Sequence, residues 1–546
     1  MAFPSAKTKD LEPDEIFLDS KNLPGFEQGR FEGRLEQPLS RKTFWYAGAI
    51  LLVTLAALWY QALRLQILKG NDFRARADEN RLRVLALWPA RGLILDRNGK
   101  ILASNSLETR NYPWGEAAAH LLGYLGYPSE RDLTTGNFSE PDAMLGRTGT
   151  EERYDSELKG EAGSKLTEVD SSGKVLSEAV QKLPQSGRDL ELAVDAELQE
   201  KTYESIKDLI TRRGFKGGAA VIMDVRSGEI LSLASYPSFD SNNVSKFLND
   251  PSEPLFNRAI SGLYPAGSII KPLIALAALE EKVVAPEKEI LSVGYLSLPN
   301  PFNPSQPSIF YDWKAHGWVD MRHALAFSSN VYFYTVGGGF GEIKGLGVKK
   351  IQEWAKKFGL GEKTGIDLPG EKAGFVPGPE WKAEANKEDP LWRVGDTYNL
   401  SIGQGNLQIT PLQMAVYAAA IANGGKILEP HILKTTKEGK ARKVANLDPA
   451  NLEVVREGMR LAAQIGTAQS VGGAGVQVAG KTGTAEIGSG RRVNSWFIGF
   501  LPYENPRIAM AIVLEGGLSA NLVGAPAASR QIIEWLVQNR PEFTEP

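Results

Sequence analysis

The chain has 546 residues, 42% of them apolar, and 62 Lys and Arg against 65 Asp and Glu give a net charge of −3. That length is too great for one ordinary domain and allows cores in at least two units, while the near-even charge argues against a polyanionic partner such as nucleic acid. Cysteine is absent and His120, His316, His323 and His431 are the only histidines, which excludes disulfides, thiolate zinc sites and cysteine nucleophiles and leaves catalysis to serine, threonine, lysine and carboxylates.

Residues 1–42 read as a short tail. From Thr43 to Leu63 the run TFWYAGAILLVTLAALWYQAL carries no charge and is about long enough to cross a ~30 Å hydrocarbon layer as one helix. Phe44, Trp45 and Tyr46 at one end and Trp59 and Tyr60 at the other form aromatic belts, with Arg41, Lys42 and Arg64 just outside. The run follows 42 polar residues and shows no small-x-small cleavage site, so it is read as an uncleaved single-pass anchor of the cytoplasmic membrane. Basic residues flank both ends and do not decide orientation. The simplest signal-anchor arrangement puts the tail in the cytoplasm and the body outside.

Residues 64–190 are expected to form an extended, strand-containing stem with little core of its own. Within it, Asp96-Arg97-Asn98-Gly99 between Leu93-Ile94-Leu95 and Ile101-Leu102 signals a hairpin, because Asn-Gly takes up positive φ readily. EERYDSELKG reads as a helix among loops. Residues 191–546 form a second body. Apolar strands are expected at Ala219–Val225 and Glu229–Ser235, and again in VQVAGKTGTAE, NSWFIGFLP and RIAMAIVLEGG, with helices such as 272–281 and 411–422 between them. The predicted architecture is α+β: about five mostly antiparallel strands with helices on both faces.

In LYPAGSIIKP, Ser268 and Lys271 lie one helical turn apart, which brings a hydroxyl and an amine onto one face. Pro272 has no N–H to give the Ser268 carbonyl, tolerable only in a first turn, where free N–H groups and the helix dipole also favour charge on the serine oxygen. Burial lowers a lysine pKa and frees a neutral amine to take the serine proton. The same spacing at Ser156/Lys159 and Ser171/Lys174 falls in polar surroundings, so the pair alone is weak. AFSSNVYFY adds Ser328 and Asn330 at the head of an aromatic-rich helix. VAGKTGTAE adds Lys481, Thr482, Gly483 and Thr484 on a strand, where glycine lets a ligand approach the backbone. The order Ser-x-x-Lys, Ser-x-Asn, Lys-Thr-Gly is that of penicillin-recognising serine enzymes. A second Lys-Thr-Gly at Lys363 follows Asn330 too closely and reads as structural.

With RGLILDRNGKILASN, GRTGTEERYDSELKG, TGIDLPGE and SIGQGNLQITPLQMA in the same order, the chain resembles class B penicillin-binding proteins over most of residues 43–540. DWKAHGWVD and NSWFIGFLPYENPRIAMAIVLEGG are most similar to the elongation-type penicillin-binding protein 2 rather than the division type. The resemblance implies a peptidoglycan D,D-transpeptidase, inhibited by β-lactams, with no metal or organic cofactor. Ser268 is then the nucleophile, Lys271 the base, Ser328 a proton relay and Asn330 a clamp on the peptide amide. Lys481 supplies positive potential, Thr482 and Thr484 bind the terminal carboxylate across Gly483, and the backbone N–H groups of Ser268 and Thr484 form the oxyanion hole. The partners implied are stem peptides ending in D-Ala-D-Ala, an amine acceptor, and a polytopic glycosyltransferase of the SEDS family. The short stretch between Asn105 and His120, where the family has a longer stem head, argues against carrying over its scaffold partners. Some relatives hold zinc near the DWK segment through carboxylates, a histidine and a cysteine; here Asp312, His316 and Asp320 lie nearby without a cysteine, and His316 reads as a polar loop residue. Gln404 and the SIGQGN loop are expected to support the site, and Trp496 and Tyr311 to be core. A β-lactamase or a β-lactam sensor shares the motifs, but no deacylating carboxylate motif, effector domain or second membrane segment is evident.

Overall fold

The uncharged run forms one helix, α1 (Arg41–Leu63), whose first turn is capped by Ser40 Oγ accepting the Thr43 N–H. It continues through a π-helical turn to Leu68, and among the described residues it is the one helix long and apolar enough to span a membrane. Its large apolar side chains all face outward with no protein against them. The computed structural model describes residues 40–546 except 107–108, 131, 133–142, 171, 173, 301–304, 436–437, 489–490, 522 and 546. These fall into two compact units: one ends at Leu85 and includes Leu166–Ala179, the other comprises Ala86–Lys165 and Val180–Pro546.

In the larger unit the hairpin turn falls where Asn-Gly requires it: Ile94–Leu95 pairs antiparallel with Ile101–Ser106, and Gly99 has φ +82°. Asp96, fully buried, accepts the N–H groups of Asn98 and Lys100 across this turn and the Ala196 N–H at the head of α2 (Ala196–Arg213). One carboxylate therefore closes the hairpin and ties it to the catalytic body. EERYDSELKG forms two short helices, Gly149–Arg153 and Asp155–Leu158, broken at Tyr154, rather than one. Glu151 in the first is fully buried between Arg91 (2.7 Å) and Arg110 (2.8 Å), and a buried carboxylate needs such partners.

The central sheet has five strands: β1 (Gly217–Asp224), β2 (Ile230–Tyr236), β3 (Ala479–Ile487), β4 (Arg492–Leu501) and β5 (Ile508–Leu518). Their order is β2-β1-β5-β4-β3, antiparallel throughout. β1 is buried along its whole length because both faces are covered, so its sequence shows no alternation. Val221 and Met223 pack on one side with α3 (Lys271–Glu280) and the helix α6, Pro411–Ala422, further along the chain. Ala220 and Ile222 pack on the other with α2 and the C-terminal helix Ala525–Asn539. Between α3 and α6 come α4 (Met321–Phe327) and α5 (Asn330–Gly338), preceded by two small antiparallel ribbons over 290–319. β3 is an edge strand, so one of its margins stays open to a ligand.

Candidate active site

Pro272 shapes the first motif. Lacking an N–H, it cannot make the bond that would run from residue 272 to the Ser268 carbonyl, and that carbonyl accepts the Lys271 N–H instead. Gly267–Ile270 is accordingly a 3-10 turn feeding into α3. Nearly every side chain of α3 is apolar and buried, so the Lys271 side chain at its head has no solvent-facing direction and is itself fully buried. Ser268, half-buried, sits at the mouth of the turn.

The second motif closes over that lysine. The Lys271 amine lies 2.7 Å from the Ser328 carbonyl oxygen, 2.7 Å from Asn330 Oδ1 and 3.2 Å from Ser328 Oγ. Sequence spacing implied direct reach between Ser268 and Lys271; the hydrogen bonds of the amine go instead to Ser328 and Asn330. Two of the three oxygens can only accept and the third belongs to a hydroxyl that can also donate. The amine donates to all three, the contact with Ser328 Oγ being the longest, and that hydroxyl is the one partner able to return a proton to it. Burial brings the Lys271 pKa down to about 7, against the opposing pull of the Asp312 carboxylate. Ser328 is held in the left-handed region at φ +58°, closing α4, a conformation that costs an L-residue roughly 1–2 kcal/mol. Ser329 caps α5 by accepting the Tyr332 N–H.

The third motif lies against the first through missing side chains. A Cβ on Gly267, at φ +57°, would meet the Thr484 carbonyl oxygen at 2.9 Å, and one on Gly483 would meet Ile269 Cγ2 at 3.0 Å. β3 therefore rests directly on the Ser268 turn. Alternation along β3 exposes Thr484, half-exposes Thr482 and buries Lys481, whose amine donates to the Thr482 carbonyl at 2.9 Å. Burial, and then the charge of Lys271, hold the Lys481 pKa well below the usual lysine range. The charge of one buried amine thus acts on the other across the junction of the motifs.

Several groups support the motifs, of which the sequence reading anticipated only the SIGQGN loop. Asp312, with its side chain wholly buried, accepts Ser329 Oγ–H (2.8 Å) and the Val331 N–H (3.0 Å). Thr467 pairs with Thr482 Oγ1 at 2.7 Å and donates its N–H to Ala326, joining β3 to α4. Gly403 of the SIGQGN loop accepts the Gly267 N–H at 2.8 Å, and a side chain there would overlap the Gly267 carbonyl. None of these has a spacing signature, since each partner lies far off in the chain.

One expectation is corrected: Tyr311 is 68% exposed on a ribbon edge rather than in the core. His316 lies in a loop, with its ring buried and stacked on Phe327 at 6.4 Å. Trp496 is fully buried and donates its indole N–H to Pro265, just before the Ser268 turn. Lys363 is exposed, and the Thr364 and Gly365 N–H groups of its loop go to Glu371. Ser156 and Lys159 are exposed, and Ser171 lies outside the described residues. The zinc set of some relatives does not fit: among the described residues no three His, Asp or Glu side chains converge, and the Asp312 oxygens are engaged by O–H and N–H donors.

Residues 218–534 match the family model described as penicillin binding protein transpeptidase domain, and residues 106–192 match the penicillin-binding protein dimerisation domain. Peptidoglycan D,D-transpeptidase MrdA of Acinetobacter baumannii is 30% identical over 88% of this chain and 86% of its own length. The crystal structure of Pseudomonas aeruginosa PBP2 in complex with WCK 5153 is 31% identical, covers 85% of this chain and all of its own, and superposes with a TM-score of 0.71. A chain from a structure titled for the coordination of polymerization and crosslinking by a peptidoglycan synthase complex is 26% identical over 91% of this chain and 99% of its own, also at a TM-score of 0.71. On a match over more than half its length, and with its three motifs packed against one another, the chain belongs to the class B penicillin-binding proteins, among those of the elongation-type penicillin-binding protein 2.

Proposed function

We propose that this protein is a peptidoglycan D,D-transpeptidase of cell-wall elongation, anchored in the cytoplasmic membrane by α1. Ser268 Oγ attacks the carbonyl between the two D-alanines of a donor stem peptide, and its proton passes to the neutral Lys271 amine. The tetrahedral oxyanion is met by the Ser268 and Thr484 N–H groups, donors worth several kcal/mol each in such sites. The C–N bond then breaks, and the proton returns through Ser328 Oγ to the departing D-alanine amine. An amine of a second stem peptide attacks the resulting ester, the acyl C–Oγ bond to Ser268 breaks, the amine's proton passes back along the same route to Ser268 Oγ, and a cross-link is left. Asn330 holds the donor amide, and Lys481, Thr482 and Thr484 hold its terminal carboxylate across Gly483. A β-lactam enters the same path, but its leaving amine stays tethered and the adduct persists.

The observation that carries this reading is the fully buried Lys271 amine, within hydrogen-bond reach of Ser328 Oγ and Asn330 Oδ1, where burial lowers its pKa to about 7. Strand polymerisation is assigned to a SEDS-family glycosyltransferase beside α1, a reading supported by the similarity to a chain of a peptidoglycan synthase complex. The test is to incubate the full chain in detergent with a fluorescent penicillin and locate the label by mass spectrometry. A long-lived adduct on the peptide carrying Ser268, absent in Ser268→Ala, is expected. Rapid release of penicilloate, or a label elsewhere, would overturn the assignment.

A further inference from the structure

Asp312 has no place in the reaction just described, yet it is the hub on which the second motif is built. Its Oδ2 accepts Ser329 Oγ–H at 2.8 Å, the Val331 N–H at 3.0 Å and Ser292 Oγ–H at 3.2 Å, and its Oδ1 accepts the Trp313 N–H at 2.9 Å. The preceding carbonyl, of Tyr311, accepts Asn330 Nδ2 at 3.4 Å and the Tyr334 hydroxyl at 3.2 Å. With its Nδ2 drawn to Tyr311, the Asn330 amide is turned so that Oδ1 faces the Lys271 amine. Residues 311 and 312 thus grip Ser329, Asn330 and Val331 from one side while Lys271 meets Ser328 and Asn330 from the other.

We propose that Asp312 is a positioning residue for acylation, holding the Ser328–Asn330 turn on the Lys271 amine and placing one fixed negative charge in reach of that amine. This rests on the transpeptidase reading above. The left-handed backbone of Ser328 needs such a hold, since an unfavourable conformation persists only where its surroundings over-determine it. The carboxylate stays ionised: burial works against it, and the nearby His316 ring (3.5 Å), the Val331 N–H and the charge of Lys271 pull its pKa below the usual carboxylate range. The charged group acting on the Lys271 amine is Asp312 from the ribbon, and Lys271 in turn acts on Lys481 of β3. Those around Asp312 are His316 on its own loop, Tyr334 on α5 and Lys271.

The test uses the full chain in detergent and follows the rate constant of penicillin acylation from pH 5 to 9. The amplitude of labelling separately counts folded sites. Asp312→Asn keeps the shape and removes the charge. The expected result is a tenfold or greater fall in the rate constant, with the acid limb of the profile displaced to lower pH, because an amine relieved of its anion gives up its proton sooner. Ser329→Ala removes one donor and no charge; it should slow acylation several-fold with the limb unmoved. A rate within twofold of wild type in either variant overturns the proposal. So does a slowed Asp312→Asn whose limb stays in place, which would leave Asp312 a purely structural brace. If Asp312→Asn gives no labelled sites, Ser329→Ala alone decides. A failure of the transpeptidase reading itself is recognised separately, as loss of the Ser268 adduct in the wild-type chain.

Discussion

Gly267→Ala is the substitution that most directly probes how the first and third motifs meet. The residue sits at φ +57°, and its added Cβ would lie 2.9 Å from the Thr484 oxygen, 3.0 Å from the Thr484 carbonyl carbon and 3.3 Å from Ala485 Cβ. The first two are backbone atoms and cannot swing aside, so β3 or the Ser268 turn must retreat by several tenths of an ångström. Left-handed alanine costs roughly 1–2 kcal/mol and the overpacking about 1–3 kcal/mol more. A misplacement of about 1 Å at a reacting centre costs on the order of 100-fold in rate, and the shift here is a good part of that. We predict a ~10- to 100-fold lower penicillin acylation rate constant, together with a lower midpoint of thermal unfolding. Gly99→Ala is the control. Gly99 is also left-handed, at φ +82°, but its Cβ meets nothing within 4 Å, so it should lose about the conformational 1–2 kcal/mol and keep its rate. Stopped-flow acylation of both variants decides. A Gly267→Ala enzyme that acylates within twofold of wild type would refute the claim that β3 rests on this turn.

Two further outcomes follow from buried charge. The unfolded chain keeps the Lys271 proton up to the ordinary lysine range while the folded chain releases it near pH 7, so between those values the unfolded state binds the extra proton and stability rises with pH. The slope is roughly 1.4 kcal/mol per pH unit for one such group, and Lys271→Met should flatten by about that amount a plot of unfolding free energy against pH between 7.5 and 9.5. An unchanged slope would show that the amine is not titrating there. Glu151→Ala leaves Arg91 and Arg110 facing each other without their shared carboxylate, and we predict a loss of about 3–5 kcal/mol, read as a lower urea midpoint. A loss under 1 kcal/mol would mean that water reaches the pair.

The arrangement joins catalysis to stability through one device. Two lysines are taken out of water, Lys481 in the field of Lys271, and a buried carboxylate, Asp312, acts on Lys271. Replacing either amine by an apolar side chain of similar length should make the fold easier to keep and the chemistry impossible. The opposition accounts for how heavily the site is braced: Thr467 on Thr482, Gly403 on Gly267, Trp496 on Pro265 and Asp312 on Ser329 each fix a segment that carries a reacting group.

What the amino-acid order determined by itself was local. The uncharged run specified α1, Asn98-Gly99 the hairpin and Pro272 the tight turn that starts α3, because each depends on dihedral preferences and burial within a few residues, and the three short motifs marked the candidate site. The apolar runs marked which segments become strands, but not that the last of them, β5, inserts beside the first. Tertiary structure alone decided that order, the break at Tyr154, the burial of His316 and the exposure of Tyr311. It also decided which oxygens the Lys271 amine meets, since those belong to a turn 57 residues away held by a ribbon that passes through Asp312. The physical reason is that periodicity records how much of a side chain leaves water, whereas a site is made where distant backbones fill the space that particular glycines leave empty, and nothing in either segment names its partner.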